Sequence, residues 1–310
     1  MSPDGDHILR EQHPNESLIP ALDSSLFGLS EEQKAFLLHA IRDLDQGVGE
    51  EEITRRVLEA QSDKTYPYPC IRAFHHVSLF MAENTVFGRI RDVIVKPRQD
   101  ESPLLLDIGC CMGTDLRYLA YLGYPPKSLI GCDVRGEFIE LGYKLYSDRD
   151  KCEIPFFVGD IFDIELRPFP QQSDSTSLPL TEVSNLNQLR GRVKYIYAGA
   201  LFHLFDEGTQ EAIARRLASL LDVRGGESAV VFGRHSAQEK EGMIDDSMGR
   251  VRYAHSPDSW ERLWKRRLWK RVAGDMLVSV EADLRTHPSV RTKARGTRMM
   301  WWSVCIASRG

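Results

Sequence analysis

The sequence predicts an α/β fold, a doubly wound, mainly parallel seven-stranded sheet behind an N-terminal helical cap. Three observations predict it. Short apolar runs of strand character recur from residue 104 onward, helical segments separate them, and the stretch before residue 99 carries helical periodicity alone. Strands and helices that alternate at this spacing are joined by crossovers between parallel strands.

Residues 1–29 lack periodicity and carry three prolines, which reads as an arm lying on the surface. SEEQKAFLLHAIRDLDQG then opens on a cap-like Ser30 and two acids and places apolar residues at helical spacing. GEEEITRRVLEAQ repeats the pattern, and YPYPCIRAF breaks it with two prolines. HHVSLFMAENTVFGRIRDVIV reads as one long helix that stops before Pro97. Residues 30–98 form the expected helical cap or lid, and 99–310 the core.

Seven strands are expected in the core: in 104–109, 128–134, 154–161, 193–205 (the fourth strand and its exit), 227–235, 277–285 and 299–307. TDLRYLAYLG, EFIELGYKLYSDR and EGTQEAIARRLASLLDVRGG are helices between them, the last stopped by paired glycines. The polar, Ser/Pro-marked stretch 165–192 reads as a surface insertion. In DSWERLWKRRLWKRVAG the motif RLWKR occurs twice in tandem, as a duplication or as a helix extended with a register shift, because five residues turn an α-helix by about 140°. Trp260 and Trp264, four apart on this helix, read as packing residues.

With 310 residues, 40 Lys+Arg against 45 Asp+Glu and 42% apolar content, the chain is neither disordered nor fibrous. No apolar run approaches the ~20 residues of a bilayer span, and the opening is polar, so a soluble, cytoplasmic protein is expected. The six cysteines form no CxxC pair and read as reduced thiols; no zinc spacing and no HExxH occurs, so no metal is implied. From Arg250 onward 14 Lys+Arg stand against 5 Asp+Glu, a local +9, which leaves −14 of the total −5 for the first 249 residues. The basic residues alternate with apolar ones, as on a solvated helix and edge strands.

In an open parallel sheet the ligand lies outside the C-terminal strand ends. Asp107-Ile108-Gly109-Cys110-Cys111-Met112-Gly113 follows the first strand, where a dinucleotide fingerprint would need glycines at Cys111 and Thr114. A carboxylate at Asp107 repels a pyrophosphate but suits an ammonium group. Asp133, twenty residues beyond Gly113, is placed to accept from both hydroxyls of a ribose. Asp160 can accept from an adenine amine, with Ile161 against the ring. Together these describe an adenosine bearing an amino acid, which is S-adenosylmethionine.

DIGCCMGTDLR, GCDV, VGDIF, ALFHLFDE and HSPDSWERLW resemble the class I S-adenosylmethionine-dependent methyltransferases, which have a Rossmann-like core. More narrowly, the chain from about Tyr66 to about Val304 resembles the fungal small-molecule methyltransferases of meroterpenoid and polyketide biosynthesis. The resemblance implies cofactor contacts at Asp107, Gly109, Cys110, Gly113, Asp133, Val134, Asp160 and Ile161. Cys111 departs from the usual middle glycine, and the second RLWKR departs from a single copy.

Around that cofactor, His203 is the candidate catalytic residue, a base or a hydrogen-bond donor that orients the acceptor oxygen. Arg72 can fork onto the carboxylate of the cofactor or of the acceptor. His75, His76, Phe80, His235 and His255 are candidate lining of the acceptor pocket. Cys110 and Cys111 read as small loop fillers rather than nucleophiles. The expected function is O-methylation, at a carboxyl or hydroxyl, of a small secondary-metabolite intermediate. A second copy of the chain is a candidate partner, and a membrane is not. A nucleic-acid methyltransferase is opposed by the acidic first 249 residues and by the absence of a DPPY-like or NPPY-like motif, and a non-catalytic cofactor-binding subunit is the third reading.

Overall fold

A computed structural model describes residues 8, 15–19, 21–42, 49–63, 67–95, 102–166, 178–224, 227–245, 249–268, 276–286 and 298–308. Strands β1 (Leu105–Ile108), β2 (Leu129–Asp133), β3 (Phe156–Val158), β4 (Tyr195–Gly199) and β5 (Ala229–Ala237) run parallel in the order β3-β2-β1-β4-β5. The sheet is completed by β9 (Arg298–Ser308), antiparallel to β5, and by β8 (Met276–Arg285), antiparallel to β9. This is the expected mainly parallel seven-stranded sheet, with its order reversing at β1 and β4. Every residue of β1 and β2 is buried, as continuous apolar strands must be when both faces are covered.

One face of the sheet packs on α7 (Glu207–Leu220) and α8 (Pro257–Arg262), around Phe202, Leu217, Trp260, Trp264 and Trp302. The other face packs on α4 (Phe87–Val95) and α5 (Thr114–Tyr121), around Leu116, Leu119, Tyr197 and Phe232. In the N-terminal region, α1 (Glu31–Arg42) and α2 (Glu50–Gln61) bury Phe36, Leu37, Ile53 and Val57 against Tyr118 of α5 and Tyr146 of α6 (Gly136–Tyr146). The carboxylate of Glu32 also accepts from the Tyr118 hydroxyl. A short α3 (Pro69–Arg72) follows the prolines.

The expectation of one long helix from His75 to Val95 is corrected. The chain makes two 3-10 turns, His75–Val77 and Phe80–Glu83, before α4 begins. Side chains take over the backbone groups that a helix would use: Thr114 Oγ1 donates to the His76 carbonyl, Asp115 accepts from the Met81 N–H, and Asn84 Oδ1 accepts from the Val86 N–H. Asn84 Nδ2 in turn donates to the carbonyls of Gly233 and Trp302, at 3.1 and 3.2 Å.

Other corrections concern the core. The surface insertion is half wrong: Val183, Leu186 and Leu189 are buried in the main hydrophobic cluster, and a reciprocal cap between Asn185 and Gln188 starts the turn that carries the leucines. The last helix passes at Leu263 into a π-helical segment, Leu263–Leu268. The π-helical segment spans the junction of the two RLWKR copies, 262–266 and 267–271. Most of the second RLWKR lies outside the described residues. A hairpin not foreseen, β6 (Gly242–Asp245) with β7 (Val251–Ala254), leaves β5 and returns to the core, where the Tyr253 N–H donates to the Phe205 carbonyl.

Candidate active site

A cavity of about 1380 Å³ opens over the C-terminal ends of β1 to β5. The loop after β1 forms its floor. Three of its positions have left-handed backbone, Gly109 at φ +76°, Cys111 at +52° and Gly113 at +67°. Only glycine adopts this freely, so Cys111 stores strain of about 1–2 kcal/mol. Its N–H donates to Asp133 Oδ2 at 2.8 Å, which fixes the loop to the end of β2. Arg117 fixes the loop from behind: it donates to the Met112 carbonyl at 2.9 Å while holding Asp148 through two bonds of 2.6 and 2.9 Å.

The cavity brings together Arg72, His75, His76, Phe80, Asp107, Gly109, Cys110, Asp133, Val134, Asp160, Ile161 and His203. Asp107 is buried, and desolvation first, then the charges of Asp115 and Asp133, pushes its carboxyl well above the usual range. Asp133 Oδ1 accepts from the Arg135 N–H, and Asp160 Oδ1 from the Phe162 N–H, each at 2.9 Å. Burial raises the thiols of Cys110 and Cys111 well above their ordinary value, which fits fillers rather than nucleophiles. Among the described residues no group of three or more His, Cys, Asp or Glu is arranged to hold a metal ion.

Three expected residues do not line the cavity. Gly113 lies beneath the loop, where a Cβ would stand 2.5 Å from the Phe156 ring; its role is close packing. His235 points to the opposite face of β5, and its Nδ1 accepts from Trp302 Nε1 at 2.9 Å. His255 is buried beside Trp260 and bonds Ser259 Oγ at 2.8 Å. The two histidines belong to an aromatic core rather than to an acceptor pocket.

His203 stays neutral. Burial, followed by the charges of Arg252, His235, Arg234 and Arg250, holds its imidazole well below its ordinary value, and among the described residues Nδ1 has no hydrogen-bond partner. Protonation beside three guanidinium groups is disfavoured, so the ring is a weak base and a better orienting group. His76 is also neutral, brought to about 4 by burial.

Sequence reasoning missed Asp115, Tyr197, Arg234, Arg250 and Arg252, which all line the cavity. Arg234 is in register with Gly199 across β5 and β4, so the alternation of side chains sends it, not His235, toward the cavity. Reading the parity of the fifth strand would have found it. Arg250 and Arg252 come from the unforeseen hairpin; Arg252 Nη1 donates to the His203 carbonyl at 3.1 Å. The expected surface arm also contributes, through Leu18, Ile19 and Leu26 at the wall.

The cavity thus has two ends of opposite charge. Asp107, Asp115, Asp133 and Asp160 stand over β1 to β3 with Arg135 among them, whereas Arg234, Arg250 and Arg252 stand over β5 and β7. The acidic end fits S-adenosylmethionine on the structure's own terms. Asp107 is a desolvated carboxyl in need of a cation, Asp133 is an acceptor fixed by backbone donors, and a Cβ at Gly109 would meet no atom closer than 4.0 Å, so the loop is open on this side.

No family model matches the chain. It is 29% identical over 204 residues to the O-methyltransferase phiE of Fungal sp. (strain ATCC 74256), a match covering 65% of this chain and 60% of phiE. It is 30% identical over 210 residues to the methyltransferase adrK of Penicillium roqueforti, covering 67% of each. The chain therefore spans about three-fifths to two-thirds of the length of these relatives. Among solved structures, the plantazolicin methyltransferase BpumL in complex with SAH is 15% identical, with 88% of this chain and 94% of that chain covered and a TM-score of 0.43. On the adrK match, the chain belongs to the family of fungal secondary-metabolite methyltransferases.

Proposed function

We propose that this protein is an S-adenosylmethionine-dependent O-methyltransferase acting on a small acidic intermediate, an aromatic polyketide or meroterpenoid. The observation that carries the reading is the opposite polarity of the two ends of one cavity. A cationic cofactor suits the aspartates and an anionic acceptor suits the arginines. Family membership supports methyl transfer, and the name of phiE supports oxygen as the acceptor atom.

The bound cofactor supplies a methyl group on a positively charged sulfur. Asp107 takes its ammonium group, Gly109 and Cys110 bring the loop backbone alongside, Asp133 accepts from the ribose with Val134 at the rim, and Asp160 and Ile161 hold the adenine. Gly113 lets the loop pack on Phe156. Arg72 offers a fork to a carboxylate, while His75, His76 and Phe80 wall the acceptor side. Transfer needs in-line alignment and exclusion of water more than it needs acid–base groups.

A carboxyl acceptor is favoured over a hydroxyl. A carboxylic acid, with an unperturbed pKa near ~4, is already a nucleophile at neutral pH, whereas a phenol near ~10 requires a base. His203, beside three arginines, is poorly suited to that work and orients the oxygen instead. Calorimetric titration with S-adenosylmethionine beside NAD, followed by turnover with aromatic carboxylic acids, tests the proposal. Binding of the former alone and formation of a methyl ester support it; binding of neither, or no transfer to any acid, sinks it.

A further inference from the structure

The sheet order sets where the two ends of the cofactor lie. Asp160 follows β3, Asp133 ends β2 and Asp107 lies in β1. A cofactor with its adenine at Asp160 and its ribose at Asp133 therefore runs its amino-acid end toward β1 and the strands beyond it, β4 and β5. Two charged side chains outside the expected set line the cavity there, Asp115 and Arg234.

Asp115 sits in the first turn of α5, with Oδ1 accepting from the Met81 N–H at 3.1 Å. Arg234 is 4% exposed, and its guanidinium carbon stands 3.3 Å from the centroid of the Phe80 ring. Among the described residues its Nε has no hydrogen-bond partner and it forms no ion pair. Asp115 and Arg234 act on each other's charge, and both act on the Tyr197 phenol.

Each group offsets part of the other's charge, yet both are desolvated: burial holds the Arg234 guanidinium below its ordinary value and pushes the Asp115 carboxyl up to about 7. An α-amino acid carries a cation and an anion on one carbon, so it satisfies both side chains at once. Phe80 adds to this by stacking on the guanidinium plane, which holds the fork in a fixed orientation before the ligand arrives.

We propose that Asp115 and Arg234 grip the amino-acid end of S-adenosylmethionine, the Asp115 carboxylate on its ammonium beside Asp107 and the Arg234 guanidinium on its carboxylate. The assignment rests on the cofactor reading above. It leaves Arg72, Arg250 and Arg252 to the acceptor.

The test is calorimetric titration of the full chain with two probes, S-adenosylhomocysteine and 5′-methylthioadenosine, the second lacking the amino-acid end. Asp115→Asn keeps an acceptor for the Met81 N–H while removing the charge, and Arg234→Gln removes the fork. Each variant is expected to weaken S-adenosylhomocysteine by about tenfold or more, with 5′-methylthioadenosine changed less than about twofold. Unchanged S-adenosylhomocysteine affinity overturns the proposal. So does an equal loss of both probes, which would mark a structural effect, and so does a loss found in Arg72→Gln but not in Arg234→Gln. Wild-type protein that binds neither probe overturns the cofactor reading itself, and this proposal with it.

Discussion

The backbone N–H of Cys111 donates to Asp133 Oδ2 across 2.8 Å, so the carboxylate at the end of β2 also holds a left-handed residue of the loop after β1. The residue expected to bind the ribose is thus part of the scaffold of the neighbouring loop. Asp133→Ala should lose cofactor affinity by about tenfold to a hundredfold in calorimetry and also lower stability by about 1–3 kcal/mol in urea. Full affinity in the variant would contradict the ribose assignment.

Cys111 itself predicts a size limit. A β-branched side chain is worse than cysteine at φ +52°, so Cys111→Val should destabilise the fold by about 1–3 kcal/mol, whereas Cys111→Gly should be nearly neutral. Thermal unfolding of the two variants side by side checks the ordering.

The Arg117–Asp148 pair is buried and bidentate, with side chains 6% and 12% exposed. Removing one partner leaves a buried charge alone, so Asp148→Ala should cost about 3–5 kcal/mol, while Arg117→Met with Asp148→Leu should recover much of the loss. Chemical denaturation of the single and double variants measures this. Because Arg117 also donates to Met112, the single variant should loosen the floor of the cavity as well.

His76 contributes a pH dependence. Its folded pKa of about 4 lies below the unfolded value near ~6.5, so the unfolded chain binds the extra proton between the two. The stability from its neutral burial is fully present above about pH 6.5 and is lost as pH falls toward about 4, a span of about 3 kcal/mol. Asp115, pushed up to about 7, acts with the opposite sign, since the folded state holds its proton longer as pH rises. His76→Gln should therefore lose less stability between pH 7 and pH 4.5 than wild type, read by guanidinium unfolding at both values; equal losses would contradict the assignment.

For His203, the outcome separates the two acceptor chemistries. His203→Ala should lower kcat less than about tenfold if a carboxylate is methylated. A loss of about a hundredfold or more would assign it as a general base acting on a hydroxyl.

How much of this was legible in the sequence follows from which forces are local. The strand-end aspartates and the glycine-containing loop could be read because each lies within a few residues of an apolar strand. The acidic half of the cavity was therefore visible. The basic half was not: Arg234 and His235 are adjacent, and a shift of one residue exchanges cavity for aromatic core. Arg250 and Arg252 depend on a short hairpin without strong alternation. The long helix expected after His75 failed because Thr114, Asp115 and Asn84 compete for its backbone groups, and two of these three come from a distant part of the chain.

The polarity of the cavity bears on what happens after transfer. Moving a methyl group from a sulfonium to a carboxylate removes one positive and one negative charge together, leaving a neutral thioether and a neutral ester. In the proposed reaction the arginines left to the acceptor then face an ester that has lost the charge they attract, whereas the thioether product keeps the ammonium group assigned to Asp107. The methyl ester should therefore leave more readily than S-adenosylhomocysteine and inhibit turnover less.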